Sequence, residues 1–310
     1  MRFYAAAYAA AAGLDEKSEA ALYAGLGDMN LDGLEQPFFK DSRLHPRDDG
    51  WLLGQLRPDW SLVLTLLPGT MGLLAEDRHF GLASLDEGGR KRALDFAESA
   101  RRALEHLYKY FGRKVVRAVE VHSAPKLSGS GATSSVEALA ESLSALRARD
   151  WSGATLLLEH CDAAVPARAP DKGFLRIEDD ALAVKLSRGP TPAALSINWG
   201  RSALETRSLE GPIQHLGRAT QSELLGALFF SGVTPKHPLY GDWKDSHAPF
   251  STTTPESWLT PRAARAALEA APGCPIVGLK LQALPGDLPV EKRLAMIQDG
   301  LEVLRSCPNP

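Results

Sequence analysis

Eight short apolar runs, spaced by longer stretches with helical periodicity, constrain this 310-residue chain more than any other feature. The runs are Arg2–Ala7, Gly33–Gln36, Ser61–Leu66, Val115–Val121, Thr155–Leu158, Ala194–Ile197, Leu225–Phe230 and Ile276–Leu281. Strand-length runs alternating with helix-length patterns mark βαβ units, in which parallel strands are covered by the helices that connect them. Eight such units predict a single (β/α)8 TIM barrel over residues 1–310, with long loops at the carboxyl ends of the strands. A doubly wound open sheet is the alternative, but no GxGxxG follows the first run. No Gly/Ser/Pro linker divides the chain.

The helical stretches carry their own punctuation. Ser84 with Glu87 fits a capping box ahead of the amphipathic run to Tyr110, which Phe111-Gly112 closes. Ser134 with Glu137 repeats the pattern, and Thr260-Pro261 supplies an N-cap and a first-turn proline. Ser202 with Glu205 fits a further capping box, and a last helix runs through VEKRLAMIQDGLEVLRS.

Composition narrows the partners. Thirty-five basic against 38 acidic side chains give a net charge of −3, without the basic excess that nucleic acid requires. Cys161, Cys274 and Cys307 are too few for a disulfide framework, and no CxxC pair points to structural zinc. The opening MRFYAAAYAAAAGL has tyrosines among its alanines and reads as a first strand rather than a signal peptide. Pro68 and Gly69 break the longest uncharged stretch, so no membrane span is expected. A cytoplasmic protein follows, and barrels of this kind often form homodimers.

Alternation along each strand sorts its side chains between interior and helix-facing sides. Ala118, Glu120 and His122 oppose Val119 and Val121, and Ser196 and Asn198 oppose Leu195 and Ile197. Gly278, Lys280 and Gln282 oppose Val277, Leu279 and Leu281, while Glu35 ends the second strand as a further inward carboxylate. Glu159 shares a face with Thr155 and Leu157, whereas His160 and Asp162 fall on the other. These assignments put Glu120, His122, Glu159, Asn198 and Lys280 near carboxyl strand ends, where barrel enzymes place their chemistry. Interior charges can also simply pair, and Lys280 with Glu120 or Glu159 would be such a pair.

Four motifs carry chemistry. Glu159-His160-Cys161-Asp162 offers carboxylates and an imidazole for acid–base work or a divalent metal, though an N-cap Asp162 and a surface His160 would explain those two equally. His122 could move a proton near neutral pH or polarise a substrate oxygen. Arg201 is placed to hold an anion or a hydroxyl-rich ligand, and Trp199 offers a face that stacks on a sugar. Asp245 and His247 lie in the long loop SGVTPKHPLYGDWKDSHAPFSTTTP, and both could reach a metal or substrate.

The segments FGLAS at Phe80–Ser84, VHSAP at Val121–Pro125, LEHCDA at Leu158–Ala163, KGFL at Lys172–Leu175, INWGRSALE at Ile197–Glu205 and DWKDSH at Asp242–His247 span most of the chain. In them the sequence resembles the xylose-isomerase-like (sugar phosphate isomerase/epimerase) TIM barrels, and more closely an uncharacterised bacterial family grouped with them. The resemblance implies carbohydrate metabolism, with a proton or hydride shifted between adjacent carbons of a sugar. It also implies a divalent metal between acidic and histidine ligands at the barrel rim. Glu159 matches the first ligand position, but Asn198 and Lys280 stand where an aspartate and a glutamate are expected. Only His247 could replace the usual histidine. Losing two carboxylates and gaining an ammonium makes such a site less welcoming to a divalent cation. Glu159, Asp162, Asp245 and His247 are the metal candidates.

The leading expectation is an enzyme of sugar isomerase, epimerase or related lyase type acting on a small carbohydrate. Glu159 is the base, with His122 or His160 relaying a proton, and Glu35, Glu120, Asn198, Trp199, Arg201, Lys280, Asp245 and His247 bind substrate. Lys280 could also stabilise an enolate. The rival readings are a metal-free glycoside hydrolase pairing Glu159 with Glu35 or Glu120, a Schiff-base aldolase through Lys280, and a sugar-binding barrel without catalysis.

Overall fold

Each of the eight apolar runs forms a strand in the computed structural model, which describes residues 1–127, 133–166 and 168–307. The strands are β1 (Arg2–Ala5), β2 (Gly33–Pro37), β3 (Ser61–Thr65), β4 (Val116–Val121), β5 (Thr155–His160), β6 (Ala193–Asn198), β7 (Leu225–Phe230) and β8 (Ile276–Leu279). They follow one another in chain order as a closed barrel, and their described pairings are parallel. Helices connect them: α1 (Ala7–Ala11), α2 (Glu16–Gly27), α3 (Asp49–Gln55), α4 (Leu67–Glu76), α5 (Glu87–Phe111), α6 (Val136–Arg147), α7 (Ile177–Leu186), α8 (Trp199–Thr206), α9 (Glu210–Gln221), α10 (Pro261–Glu269) and α11 (Val290–Arg305). The fold is a (β/α)8 TIM barrel. Among the described residues no helix is long and apolar enough to cross a membrane.

The chain forms two compact units. One comprises residues 1–35, 55–60 and 197–310. Within it β1 pairs with both β2 and β8, and β8 also pairs with β7. The other comprises residues 36–54 and 61–196, where β4 pairs with β3 and β5. A register shift between Leu62 and Val63 interrupts the β3–β4 ladder.

α5 shows how packing selects a helix face. Ala93, Phe96, Ala97, Ala100, Leu104 and Leu107 recur at helical spacing and are buried, while Arg90 to Arg102 carry the charges of the other face. Gly112, left-handed, closes it as the sequence indicates.

The caps correct three readings. At α5 the N-cap is Asp86, whose carboxylate accepts from Gly89 N–H, while Ser84 Oγ accepts from Asp86 N–H one turn earlier. At α6 the N-cap is Ser135, because the Ser134 hydroxyl donates to Pro125 O instead. At α8 the N-cap is Asn198, and Ser202 lies inside the helix against His215 Nδ1. Thr260 caps α10 as expected.

The FGLAS segment lies against the VHSAP segment. A Cβ on Gly81 would stand 2.1 Å from Ala124 O, so only glycine allows the two backbones to touch. Ala83 N–H donates to the same carbonyl at 2.9 Å. These contacts fix the backbone directly after His122.

Candidate active site

Glu159 and His122 meet at the ends of β5 and β4. His122 Nε2 and Glu159 Oε2 are 2.8 Å apart, and both side chains are sealed from solvent. Glu120, two residues before His122 on the same face of β4, is buried and accepts a 2.7 Å bond from Ser196 Oγ. In water a carboxylate and an imidazole are solvated separately. Here burial makes each the other's solvation, which holds both in fixed orientation.

His160 leaves β5 on the opposite face. Its Nδ1 lies 2.8 Å from Asp180 Oδ2 on α7, and both side chains are fully buried. Burial pushes the Asp180 carboxyl above its ordinary value, against the downward pull of His160 and Ser123. Strand alternation therefore parts Glu159 from His160.

Asp162 is not the N-cap of a helix. Both its carboxylate oxygens accept from Lys172 N–H, at 3.2 and 3.0 Å, while its carbonyl accepts from Gly173 and Phe174. Its side chain folds the KGFL segment back onto the strand end.

The other unit gathers the remaining candidates. Lys280 Nζ lies 2.5 Å from Glu35 Oε1, so Glu35 is a partner of its ammonium. Arg201, 1% exposed, donates through Nε to Asp245 Oδ2 at 3.0 Å, and Asp245 Oδ1 also lies 3.3 Å from His247 Nδ1. Two non-glycine residues of this loop, Trp243 and His247, have φ values of 54° and 52°, a left-handed conformation that surrounding structure must impose. That support is visible: Gln282 N–H donates to His247 O, Ala248 and Gly232 exchange backbone bonds, and Trp243 packs edge-on against Trp258.

Asn198 and Trp199 are different. The Asn198 Oδ1 atom accepts from Arg201 N–H and Ser231 Oγ, but its Nδ2 is buried with no hydrogen-bond partner among the described residues. The same holds for Trp199 Nε1. Gln36, in the unit that holds His122 and Glu159, has both amide atoms buried and unbonded in the same sense. Orphaned buried donors cost about 1–3 kcal/mol each and call for an explanation such as a bound ligand. Reading the strands by alternation passed over Gln36, because it took Glu35 as the inward residue. The adjacent buried amide was the available signal.

A metal can be tested against these donors. The positions that the resemblance assigns to ligands are not all donors here: Lys280 is an ammonium paired with Glu35, and the acceptor oxygen of Asn198 is already bonded. A different set, His122, Glu159 and Cys161, brings one ligand atom from each within 4.8 Å, so these residues could hold a cation.

Set beside known proteins, the fold is that of the xylose-isomerase-like sugar phosphate isomerases and epimerases. A solved structure of the IolI protein with a bound zinc atom covers 99% of both chains at a TM-score of 0.62 and 14% identity. The crystal structure of D-psicose 3-epimerase in the presence of D-fructose covers 100% of both at 0.61 and 12%. The chain belongs to the family described as Domain of unknown function (DUF4862), whose model matches residues 4–296. It is 34% identical over 300 residues to the uncharacterized protein STM3670 of Salmonella typhimurium strain LT2, spanning 94% of this chain and 91% of that one.

Proposed function

We propose that this chain is an enzyme that isomerises or epimerises a small sugar, with Glu159 as the base and His122 as its proton partner. The buried 2.8 Å contact between them carries the reading. The pair enters the cycle as carboxylate and imidazolium. Glu159 takes the proton from the carbon beside the sugar carbonyl, and His122 gives one to the carbonyl oxygen. An enediol results, and the pair holds as many protons as before. Reprotonation of carbon from this pair completes the exchange.

Arg201 and His247 both bond Asp245, and Lys280 pairs with Glu35, so their proposed part is to keep their own strand ends charged and shaped. His160, held by Asp180, takes no catalytic part in this reading. No step runs through a metal; if a cation is bound at His122, Glu159 and Cys161, it would polarise the sugar oxygen. D-Fructose and D-psicose are natural probes because a protein of the same fold is described with them.

Deuterium wash-in at the carbon beside the carbonyl, followed by proton NMR in D2O, tests the assignment. Exchange in the wild type should be lost in Glu159→Gln. Exchange by that variant at the wild-type rate, or none by the wild type on any ketose, would overturn it.

A further inference from the structure

A cavity of about 550 Å³ lies within the unit that holds His122 and Glu159. Its size falls within the roughly 300–1,000 Å³ of small-molecule sites. Met71 and Leu74 of α4 and Phe174 line its apolar side. The same three residues pack on the buried cluster of Leu67, Ala124 and Cys161, and Cys161 lies two residues beyond Glu159. The floor of the cavity is therefore the outer face of the packing that carries the site.

The polar side is cationic. Arg78, Lys126 and Lys172 line it, with Asp171 the one acidic residue among the lining side chains. Two of these cations are held by built structure rather than hung on a free surface. Lys172 begins the segment that Asp162 fastens, its own N–H bonded to that carboxylate. Lys126 is four residues beyond His122, and its aliphatic stem covers Gly173: a Cβ there would stand 3.1 Å from Lys126 Cγ. Gly173 has φ of 68°, the left-handed turn that lets this wall form, and its carbonyl accepts from Leu127 N–H at 2.8 Å. Lys126 and Leu127, directly after VHSAP, thus dock onto the KGFL segment, and each side brings one lysine.

We propose that this cavity is a subsite for the non-reacting part of the substrate, a group with an apolar face and an anionic end. The sugar isomerase reading is its premise, and it narrows the substrate class to a sugar carrying an aryl- or alkyl-linked phosphate or carboxylate. A net surplus of two positive charges among the described lining residues, beside the apolar wall, matches that chemistry. A neutral free hexose would leave both the cations and the apolar wall unused.

Calorimetric titration of the full chain with phenyl phosphate, benzoate and neutral phenyl β-D-glucoside tests the subsite without requiring turnover. The aryl anions should bind, with the neutral glycoside at least about tenfold weaker. The double substitution Lys126→Gln/Lys172→Gln should weaken anion binding by about tenfold or more, while Glu159→Gln should bind like the wild type. Preference for phenyl phosphate over benzoate, or the reverse, identifies the anionic end. No anion binding by the wild type, equal binding of the neutral glycoside, or unchanged binding by the double variant would overturn the subsite. Anion binding with no isotope exchange on any sugar would leave the subsite standing and sink the acid–base reading instead.

Discussion

Lys280 Nζ and Glu35 Oε1 form an ion pair 2.5 Å long, with both side chains at most 1% exposed. Two charges so far from water are stable only together, since desolvation of either alone costs several kcal/mol. Lys280→Met should therefore destabilise the protein by about 3–5 kcal/mol, measured by urea unfolding. The double substitution Lys280→Met/Glu35→Leu should recover most of that loss. A double variant as unstable as the single would mean that the pair is not the reason for the cost.

Glu98 on α5 sets a limit at acid pH. Hydrogen bonds from Arg101, then Arg149, hold its carboxyl down at about 2 against the ordinary 4.5. A depressed folded-state value means that the unfolded chain binds the proton more readily, so this contribution is complete above about 4.5 and lost as pH falls towards about 2. Glu98→Gln should flatten the decline of thermal stability across that window and lower stability at neutral pH. An unchanged pH profile would show that the Arg101 and Arg149 contacts do not persist in solution.

Arg293 has a buried guanidinium whose described bonds all go to backbone carbonyls: Ala10, Ala12, Gly286 and Leu288. Burial pulls its pKa below the usual arginine value. Arg293→Met should cost about 1–3 kcal/mol, because the buried Ala10 carbonyl loses its donor. Arg293→Lys, keeping the charge but fewer donors, should cost less. Urea unfolding of both variants against wild type ranks them, and equal losses would assign the effect to packing alone.

The acid–base reading also predicts that isotope exchange survives chelation. Dialysis against EDTA should leave the wash-in rate within about twofold. Loss on chelation with recovery on adding zinc or manganese would instead make His122, Glu159 and Cys161 ligands, and plasma mass spectrometry would then find metal that Cys161→Ser releases.

The strands were legible because strands in a closed parallel barrel are covered on both faces and read as unbroken apolar runs such as Leu62–Leu64 and Leu156–Leu158. The caps were off by one to four residues where several short polar side chains compete. At Ser134-Ser135 the choice turns on Pro125 O, a carbonyl nine residues back that withdraws the first hydroxyl from capping. Charge partners were harder still. Alternation turns Lys280 inward, but naming Glu35 as its partner needs β1 between β8 and β2. The roles of Asp162 and Asn198 were hidden for a similar reason: both carboxylate or amide oxygens bond backbone N–H groups, and no residue pattern announces a backbone partner.

The Arg293 guanidinium joins positions 283 residues apart, reaching from α11 to the carbonyl of Ala10. A ribosome delivers the chain from its amino end, so the turn after α1 emerges long before the side chain that will satisfy it. Until the last helix leaves the exit tunnel, the carbonyls of Ala10 and Ala12 have only water to bond. The end of the first helix is thus sealed only once a residue 283 positions further along has been made.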